Sequence, residues 1–110
     1  MPYLKVVTNR EVSERFEFLK EASGWMAALL GKAERYVMVE LQDGMPLLFA
    51  GTAEPAAYVE FKSIGLPDPA GLSEEVCRFL SEKLAIPADR IYIEFIDIPR
   101  GRWGWNRTVF

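Results

Sequence analysis

The residue with the most unusual chemistry in this sequence is the proline at the second position. Pro2 follows Met1 and precedes a short apolar segment, Tyr3 to Val7, which predicts a buried strand. When the methionine is removed, the nitrogen of Pro2 becomes a secondary amine. An α-amino group titrates near pH ~8 in water, and burial lowers its pKa because desolvation disfavours the charged form. Such an amine is suited to general-base chemistry near neutral pH.

The chain offers few other groups for proton transfer at neutral pH, because it contains no histidine. The remaining candidates are a perturbed carboxylate, a perturbed lysine, the thiol of Cys77 and the free amine of Pro2. The position of Pro2 alone also fits a proline that merely precedes a strand, where its missing N–H costs nothing. Single residues alone do not decide between these candidate bases, or between a catalytic and a structural role for Pro2.

The composition excludes several classes of protein. The 110 residues form one domain, 1–110, and half of them are hydrophobic, which is enough for a core. The net charge is −3, and Arg100 and Arg102 beside the tryptophans make only a weak basic patch, so no nucleic-acid partner is expected. With one cysteine and no histidine, we expect no disulfide, no metal site and no cofactor.

Nothing in the sequence predicts a signal peptide or a membrane-spanning segment. The first apolar run is short and polar residues follow it at once, while the longest apolar run is far below the length of a membrane span. We therefore expect a cytoplasmic protein that interacts with no membrane, with secretion only by a non-classical route.

The hydrophobic spacing predicts two similar halves, each with the order strand, helix, strand. The helices are expected from Ser13, as N-cap, to Leu30, with Phe16 on the apolar face, and from Ser73, as N-cap, to just before Pro87, after a loop over Gly65–Gly71. The predicted strands are Tyr3–Val7, Arg35–Leu41, Met45–Ala50, Ala57–Ile64 and Arg90–Ile98, with a short strand in Gly101–Phe110.

The two halves align at an offset of 55, with Glu34–Met38 opposite Asp89–Ile93. Two right-handed β-α-β units predict an α+β two-layer fold: a four-stranded mixed sheet with both helices on one face. Continuous apolar strands need burial on both faces, so other copies of the chain should cover the bare face. The short strands should then pair across subunits.

With these elements in place, the sequence resembles the macrophage migration inhibitory factor (MIF) family of the tautomerase superfamily. The resemblance covers nearly the whole chain, and its marks occur in order at near-family spacing. They are the Pro2 start, Thr8-Asn9, Gly31-Lys32 with Tyr36, Gly51 with Glu54-Pro55, Ser63-Ile64-Gly65, Asp89-Arg90-Ile91-Tyr92-Ile93 and Gly104-Trp105-Asn106 before Phe110.

The resemblance implies a homotrimer with an active site at each subunit interface. It implies a keto–enol tautomerase of phenylpyruvate-like acids, with dopachrome-type compounds also turned over and Pro2 as the base. Lys32 would hold the carboxylate or oxygen of the substrate, and the Ile64 N–H would be a further donor. Tyr92 of a neighbouring subunit would line the pocket with Tyr36, Trp105 and Phe110. By itself, Lys32 is more typical of a surface lysine near a helix C-terminus, and Tyr92 of a core tyrosine.

Three departures from the family pattern qualify these expectations. The Cys-x-x-Cys motif of vertebrate members is replaced by Ala56 and Val59, so no thiol–disulfide activity is expected. Glu94 stands where the family has asparagine, and a carboxylate near Lys32 would repel an anionic substrate or pair with the lysine. Trp103 replaces a smaller aliphatic residue and should reshape the pocket. A second reading is a cytokine-like module that binds a protein receptor and has weak or vestigial activity.

Overall fold

The computed structural model describes residues 1–110 as a mixed sheet with two helices packed on one face. The main elements are β1 (Tyr3–Thr8), α1 (Arg15–Leu30), β2 (Met38–Gln42), β3 (Ala57–Ser63), α2 (Pro69–Leu84) and β4 (Ile91–Asp97). The 3₁₀ turns Glu34–Tyr36 and Ala88–Arg90 precede β2 and β4, and a hairpin of β5 (Gly104–Trp105) and β6 (Thr108–Val109) follows β4. No helix has the length and apolarity needed to cross a membrane.

The strand order is β2-β1-β3-β4, which confirms the predicted pair of β-α-β units. The pairs β1–β2 and β3–β4 are parallel, and β1–β3 in the centre is antiparallel. Alternate residues of the strands point to the helices and form the core with α1 and α2. Its most buried large side chains include Leu4, Val6, Met26, Val59, Phe61, Val76 and Leu80.

The internal repeat differs from the predicted one by a single residue in its second strands. Leu4 pairs with Val39 and Val59 pairs with Ile93, so β1 and β3 correspond at an offset of 55 but β2 and β4 at 54. The helices, which begin at Arg15 and Pro69, also correspond at 54, so the uniform offset of 55 is wrong from the helices onward. A slip of one residue would turn each side chain to the opposite face of the sheet.

Because the two β-α-β halves run antiparallel to each other, each end of the sheet combines the start of one half with the end of the other. At the Pro2 end, β1 begins beside Lys62 and Ser63 at the end of β3. The loop before β2 and the turn after β4 also lie there, since each strand is parallel to its neighbour. At the other end, which we call the Arg90 end, Thr8 closes β1 beside the start of β3 at Ala57.

Both helices begin at residues other than those predicted. The residue before α1 is Glu14 rather than Ser13, and Phe16 is 77% exposed, because the buried face is formed by Phe18, Ala22 and Met26. Helix α2 begins at Pro69, four residues before the predicted cap. The carboxylate of Asp68 accepts the N–H of Gly71, and proline is tolerated at the first position because its missing N–H needs no partner there.

The segment Met45–Ala50 forms no strand within the chain, contrary to the sequence prediction. Only an isolated bridge joins Phe49 to Thr52, around a turn in which Ala50 and Gly51 both have positive φ. Strand β2 begins at Met38 rather than Arg35, because the 3₁₀ turn occupies the preceding residues. Pairing of short strands across subunits stays a prediction.

The sheet face opposite the helices is more polar than the sequence reading assumed. It carries Lys5, Glu40, Glu60, Lys62 and Glu94, since the strands alternate rather than running continuously apolar. Tyr3 donates a hydrogen bond to Glu40, which lowers the pKa of that carboxyl, while burial first and then this bond raise the pKa of Tyr3 to about 12. The premise of continuously apolar strands does not hold, but Met38 and Tyr92 on this face are 66% and 67% exposed, and its cover by other copies stays a prediction.

Candidate active site

Pro2 directly precedes β1, lines a cavity of about 220 Å³ and is less than 2% exposed. Its carbonyl oxygen accepts the N–H of Met38 at 3.0 Å, which fixes the residue against the start of β2. The amino group of Met1 has a lowered pKa, first because of burial and second because of the positive charge of Lys32. The amino terminus and Lys32 therefore share one electrostatic environment.

The end of α1 positions Lys32 at a second cavity, which adjoins the one that Pro2 lines. Gly31 adopts the left-handed conformation with φ 62°, a C-cap geometry that glycine reaches without a Cβ penalty, and the chain then turns towards β2. The ammonium donates to Ser63 Oγ at 2.7 Å and to the carbonyl oxygen of Ile64 at 2.6 Å. Burial lowers the pKa of Lys32, Asp97 opposes that change, and Arg100 adds to it.

An aromatic wall stands beside these groups. Tyr36 meets Trp105 edge-on at a centroid distance of 5.5 Å and Phe110 at 5.7 Å. Trp105 and Phe110 stack on each other at 5.4 Å. The β5–β6 hairpin holds the two rings, and its closure is extended by hydrogen bonds that join Phe110 to Gly101 and Trp103. These contacts make the wall a packed unit rather than a set of independent side chains.

Two neighbouring cavities meet at this wall, since both are lined by Met1, Tyr36 and Phe110. The first, about 320 Å³, is completed by Lys32, Ala33, Ile64 and Arg100. The second, about 220 Å³, includes Pro2 and the hairpin residues Trp103 and Trp105. The fold thus brings together seven of the residues predicted from the sequence: Pro2, Lys32, Tyr36, Ile64, Trp103, Trp105 and Phe110.

This arrangement can be compared with known proteins. A family model described as macrophage migration inhibitory factor (MIF) matches residues 1–110. The chain belongs to the MIF family. That family includes members with tautomerase activity, which agrees with a pocket built around an amino terminus and a lysine.

Relatives across distant organisms support the assignment. The MIF homolog of Brugia malayi is 37% identical over 114 aligned positions, covering 100% of this chain and 99% of the relative, and the MIF of Rattus norvegicus is 33% identical with the same coverage. The crystal structure of the MIF homologue of Prochlorococcus marinus has a TM-score of 0.91 at 45% identity, covering 98% of each chain. The MIF structure of Trichinella spiralis gives 0.88 at 31%, covering 98% of this chain and 99% of that one.

Two residues that the MIF resemblance places in the pocket lie elsewhere within a single chain. Tyr92 is on the open face of β4, 67% exposed, with its ring 4.7 Å from that of Phe49. Glu94 is exposed on the same face and makes no ion pair, so within the chain it is not beside Lys32. A contribution of either residue to the pocket of a neighbouring subunit stays a prediction.

Sequence reasoning missed three residues at this MIF-type site. Ser63 holds Lys32, Arg100 lines the larger cavity, and Arg35 lies 4.9 Å over the ring of Tyr36. Arg100 could have been found from the topology, because it follows β4, whose end lies beside the Ser63 end of its parallel neighbour β3. The sequence reasoning expected the N–H of Ile64 to bind the substrate. Within the chain it is the carbonyl oxygen of Ile64 that makes a contact at the site, because it accepts a hydrogen bond from Lys32.

The thiol of Cys77 is poorly suited to act as the base. The residue is half-buried on α2, and burial raises the pKa of the thiol, with a smaller opposing effect from a hydrogen bond with Ser73. A raised pKa leaves little thiolate at neutral pH. Cys77 also lines neither of the two cavities, which leaves the amino terminus as the stronger candidate.

Proposed function

We propose that this protein is a keto–enol tautomerase of phenylpyruvate-like acids, with the amine of Pro2 as general base once Met1 is removed. One observation carries the proposal: Pro2 and Lys32 line two adjoining cavities that share a wall formed by Met1, Tyr36 and Phe110. A base and a fixed cation beside one apolar space are what enolisation of a carbonyl compound needs.

The reaction moves one proton and rearranges one pair of bonds. The Pro2 nitrogen takes a proton from the carbon next to the carbonyl, and the electrons of that C–H bond form the carbon–carbon double bond. The carbonyl oxygen then carries the developing negative charge, which the ammonium of Lys32 stabilises. The protonated amine returns the proton to that oxygen, giving the enol, and the reverse sequence gives the keto form.

The electrostatics of the site favour an unprotonated amine. Burial and the charge of Lys32 lower the pKa of the amino terminus at Met1, and the same causes act on the Pro2 nitrogen after processing. The burial of Pro2 adds to this effect, because a charged ammonium would lose hydration there. More free base is then present at neutral pH than for an exposed amine.

The walls favour an aromatic substrate with a negative charge. Tyr36, Trp105 and Phe110 offer ring faces and edges, and the charged side chains on the larger cavity are the cations Lys32 and Arg100. Phenylpyruvate and hydroxyphenylpyruvate combine an aromatic ring with a carboxylate. Dopachrome-type compounds are the second class to assay, and Trp103 on the smaller cavity is expected to restrict them.

A homotrimer belongs to this proposal, because it would carry Tyr92 and Glu94 of one subunit to the pocket of the next. Tyr92 is largely exposed in the isolated chain, which suits an interface aromatic residue. Sedimentation at several concentrations would test this assembly. A protein that stays monomeric at the concentration used in the activity assay would contradict it.

The decisive experiment joins intact mass to a phenylpyruvate tautomerisation assay on one sample. A mass lacking methionine, with activity that falls as the pH drops through the pKa of the amine, supports Pro2 as the base. A mass lacking methionine without turnover refutes the enzymatic proposal. The relatives are named for an action on macrophages, so a protein-binding role is then the leading alternative.

A further inference from the structure

Arg100 is the cation on the larger cavity whose hydrogen-bond donors find no acceptor within the chain. It lies in the turn after β4, and its side chain lines the cavity of about 320 Å³ that also holds Lys32. It makes no ion pair and no side-chain hydrogen bond, unlike Arg15, Arg78 and Arg90. In a chain of net charge −3, an unpaired guanidinium at a cavity is available to an anionic ligand.

Lys32, in contrast, is largely committed to the protein. Its ammonium has three N–H donors, and two of them are directed to Ser63 Oγ and the carbonyl oxygen of Ile64. Ser63 is fully buried, so this anchor is fixed. One donor remains, which suits a single oxygen atom and does not suit two-point binding of a carboxylate.

We propose that the two cations bind different groups of the substrate: Arg100 binds the carboxylate, and Lys32 binds the carbonyl oxygen of the adjacent keto group. This inference rests on the proposed tautomerase function. The planar fork of a guanidinium matches both oxygens of a carboxylate, whereas an ammonium acts as a point charge. A donor fixed in advance is the better stabiliser of an oxyanion, because it needs no reorganisation during the reaction.

The division of roles defines the substrate class. A 2-oxo acid presents its carboxylate and its keto oxygen on adjacent carbons, so both cations are used at once. The aromatic group then lies against Tyr36 and Phe110. An ester of the same acid keeps the keto oxygen but loses the charge that Arg100 recognises, and the enzyme should discriminate against it through KM.

The test compares Arg100→Ala with Arg102→Ala, using phenylpyruvate and its methyl ester. Arg102 lies two positions away and lines a different cavity, with Tyr3, Lys62 and Trp103, so its loss removes the same charge from the same turn. For Arg100→Ala we expect KM for the acid to rise about 10-fold, the scale of a charge-assisted hydrogen bond. We expect kcat for the acid and both constants for the ester to change by no more than about twofold, a margin small against a charge-assisted bond.

Arg100→Lys should recover part of the lost affinity, because it restores the charge without the fork. Three results would overturn the inference: an equal loss on acid and ester, the same loss in Arg102→Ala, or an unchanged KM in Arg100→Ala. Each would show that Arg100 does not recognise the carboxylate.

A binding measurement separates this inference from the function on which it rests. Phenylpyruvate affinity can be read from the fluorescence of Trp105 and Trp103 at the cavity wall, in protein that retains Pro2 and in Pro2→Gly. If wild-type protein binds the acid without turnover, the tautomerase proposal fails. In that case a dissociation constant raised about 10-fold by Arg100→Ala still supports carboxylate recognition, and an unchanged constant contradicts it.

Discussion

The Pro2 end and the Arg90 end of the sheet occupy equivalent places in the two halves of the chain but treat their polar groups in opposite ways. At the Arg90 end, four of the five N–H donors of the Arg90 guanidinium are used by backbone acceptors. They are the carbonyl oxygens of Phe49, Thr52, Glu54 and Pro55, at 2.9 to 3.3 Å. Asn9 completes the closure by donating to Ala53 and Glu54 and accepting from the N–H of Ala56.

At the Pro2 end, the residues in the corresponding positions stay open to a ligand. Tyr36 occupies the place of Arg90, at the end of the 3₁₀ turn, and forms a cavity wall. Lys32 corresponds to Ile86, which is 1% exposed in the core, since each directly follows the left-handed cap of its helix. Ser63 corresponds to Thr8, and both are buried, but Ser63 faces an ammonium while Thr8 donates to Ala56.

The difference shows that one β-α-β plan can close its polar groups within the chain at one end and leave cations unpaired beside a cavity at the other. Polar groups whose hydrogen bonds are all made inside the chain stabilise it and cannot bind anything else. Cations with unused donors, such as Arg100, add no comparable stability and are available to a ligand. Hydrogen-bond satisfaction therefore separates the two ends better than residue type, because arginine occurs at both.

The largest expected effect at the Pro2 end comes from the base itself. Pro2→Gly should lower kcat for phenylpyruvate by about 10²-fold or more, the scale of general-base catalysis, because the ring that fixes the amine is lost. The measurement is steady-state turnover, with intact mass showing that methionine has been removed and size-exclusion chromatography showing an unchanged assembly. Undiminished turnover in this variant would sink the mechanism.

Lys32→Met should lower kcat/KM by roughly 30-fold, within the range of a hydrogen bond to a charged group. Methionine keeps an unbranched side chain while removing the ammonium that stabilises the enolate oxygen. Lys20→Met is the matched control, because Lys20 is exposed and pairs only with Glu17. If both variants lose activity equally, Lys32 acts only through the overall positive charge of the protein and does not contact the substrate.

Arg90→Ala should act on stability rather than catalysis. We expect a loss of about 2 kcal/mol in the free energy of unfolding, since four carbonyl oxygens lose a charged donor. Urea denaturation measures this, with Arg78→Ala as control, because Arg78 makes only exposed ion pairs on α2. If Arg90→Ala leaves the stability unchanged but lowers kcat/KM, Arg90 has a role in activity rather than in stability, which contradicts the contrast between the two ends.

The smallest predicted effect is a shift in pH dependence. The charge of Lys32 is one cause of the lowered pKa of the amino terminus, so Lys32→Met should raise the pKa of the base. Activity requires the unprotonated amine, and the midpoint of its rise with pH should therefore move to higher pH. A midpoint that stays in place or moves lower would show that the base and the lysine are not electrostatically coupled.

Much of the fold could be predicted, because hydrophobic spacing depends on geometry that every helix and strand obeys. The two-helix, four-strand order followed from that spacing, and the strand order confirms it. The start of α2 could not, since Pro69 resembles a loop residue until Asp68 is seen to cap the helix. The one-residue difference between the halves escaped because it arises in the loops 9–14 and 64–68, which lead into the helices and differ in length by one residue.

The site was predictable to the extent that its residues belong to a family pattern. Pro2, Lys32 and Tyr36 are recognisable from the MIF family pattern, and the fold brings them together. Arg100 carries no local signal, because its importance depends on β4 ending beside β3. For Tyr92 and Glu94 the family pattern predicts a role in the pocket, but the structure of a single chain does not test it, because that role depends on a second chain.

The burial of Pro2 has a consequence for the timing of biosynthesis. In the folded chain its carbonyl oxygen accepts a hydrogen bond from the N–H of Met38, and Met1 lines the two cavities proposed to bind substrate. A processing enzyme that must bind these residues in an extended conformation could not reach them in the folded chain. We therefore expect methionine removal to occur while the nascent chain is emerging from the ribosome, so that a molecule which misses this step remains blocked by its own first residue.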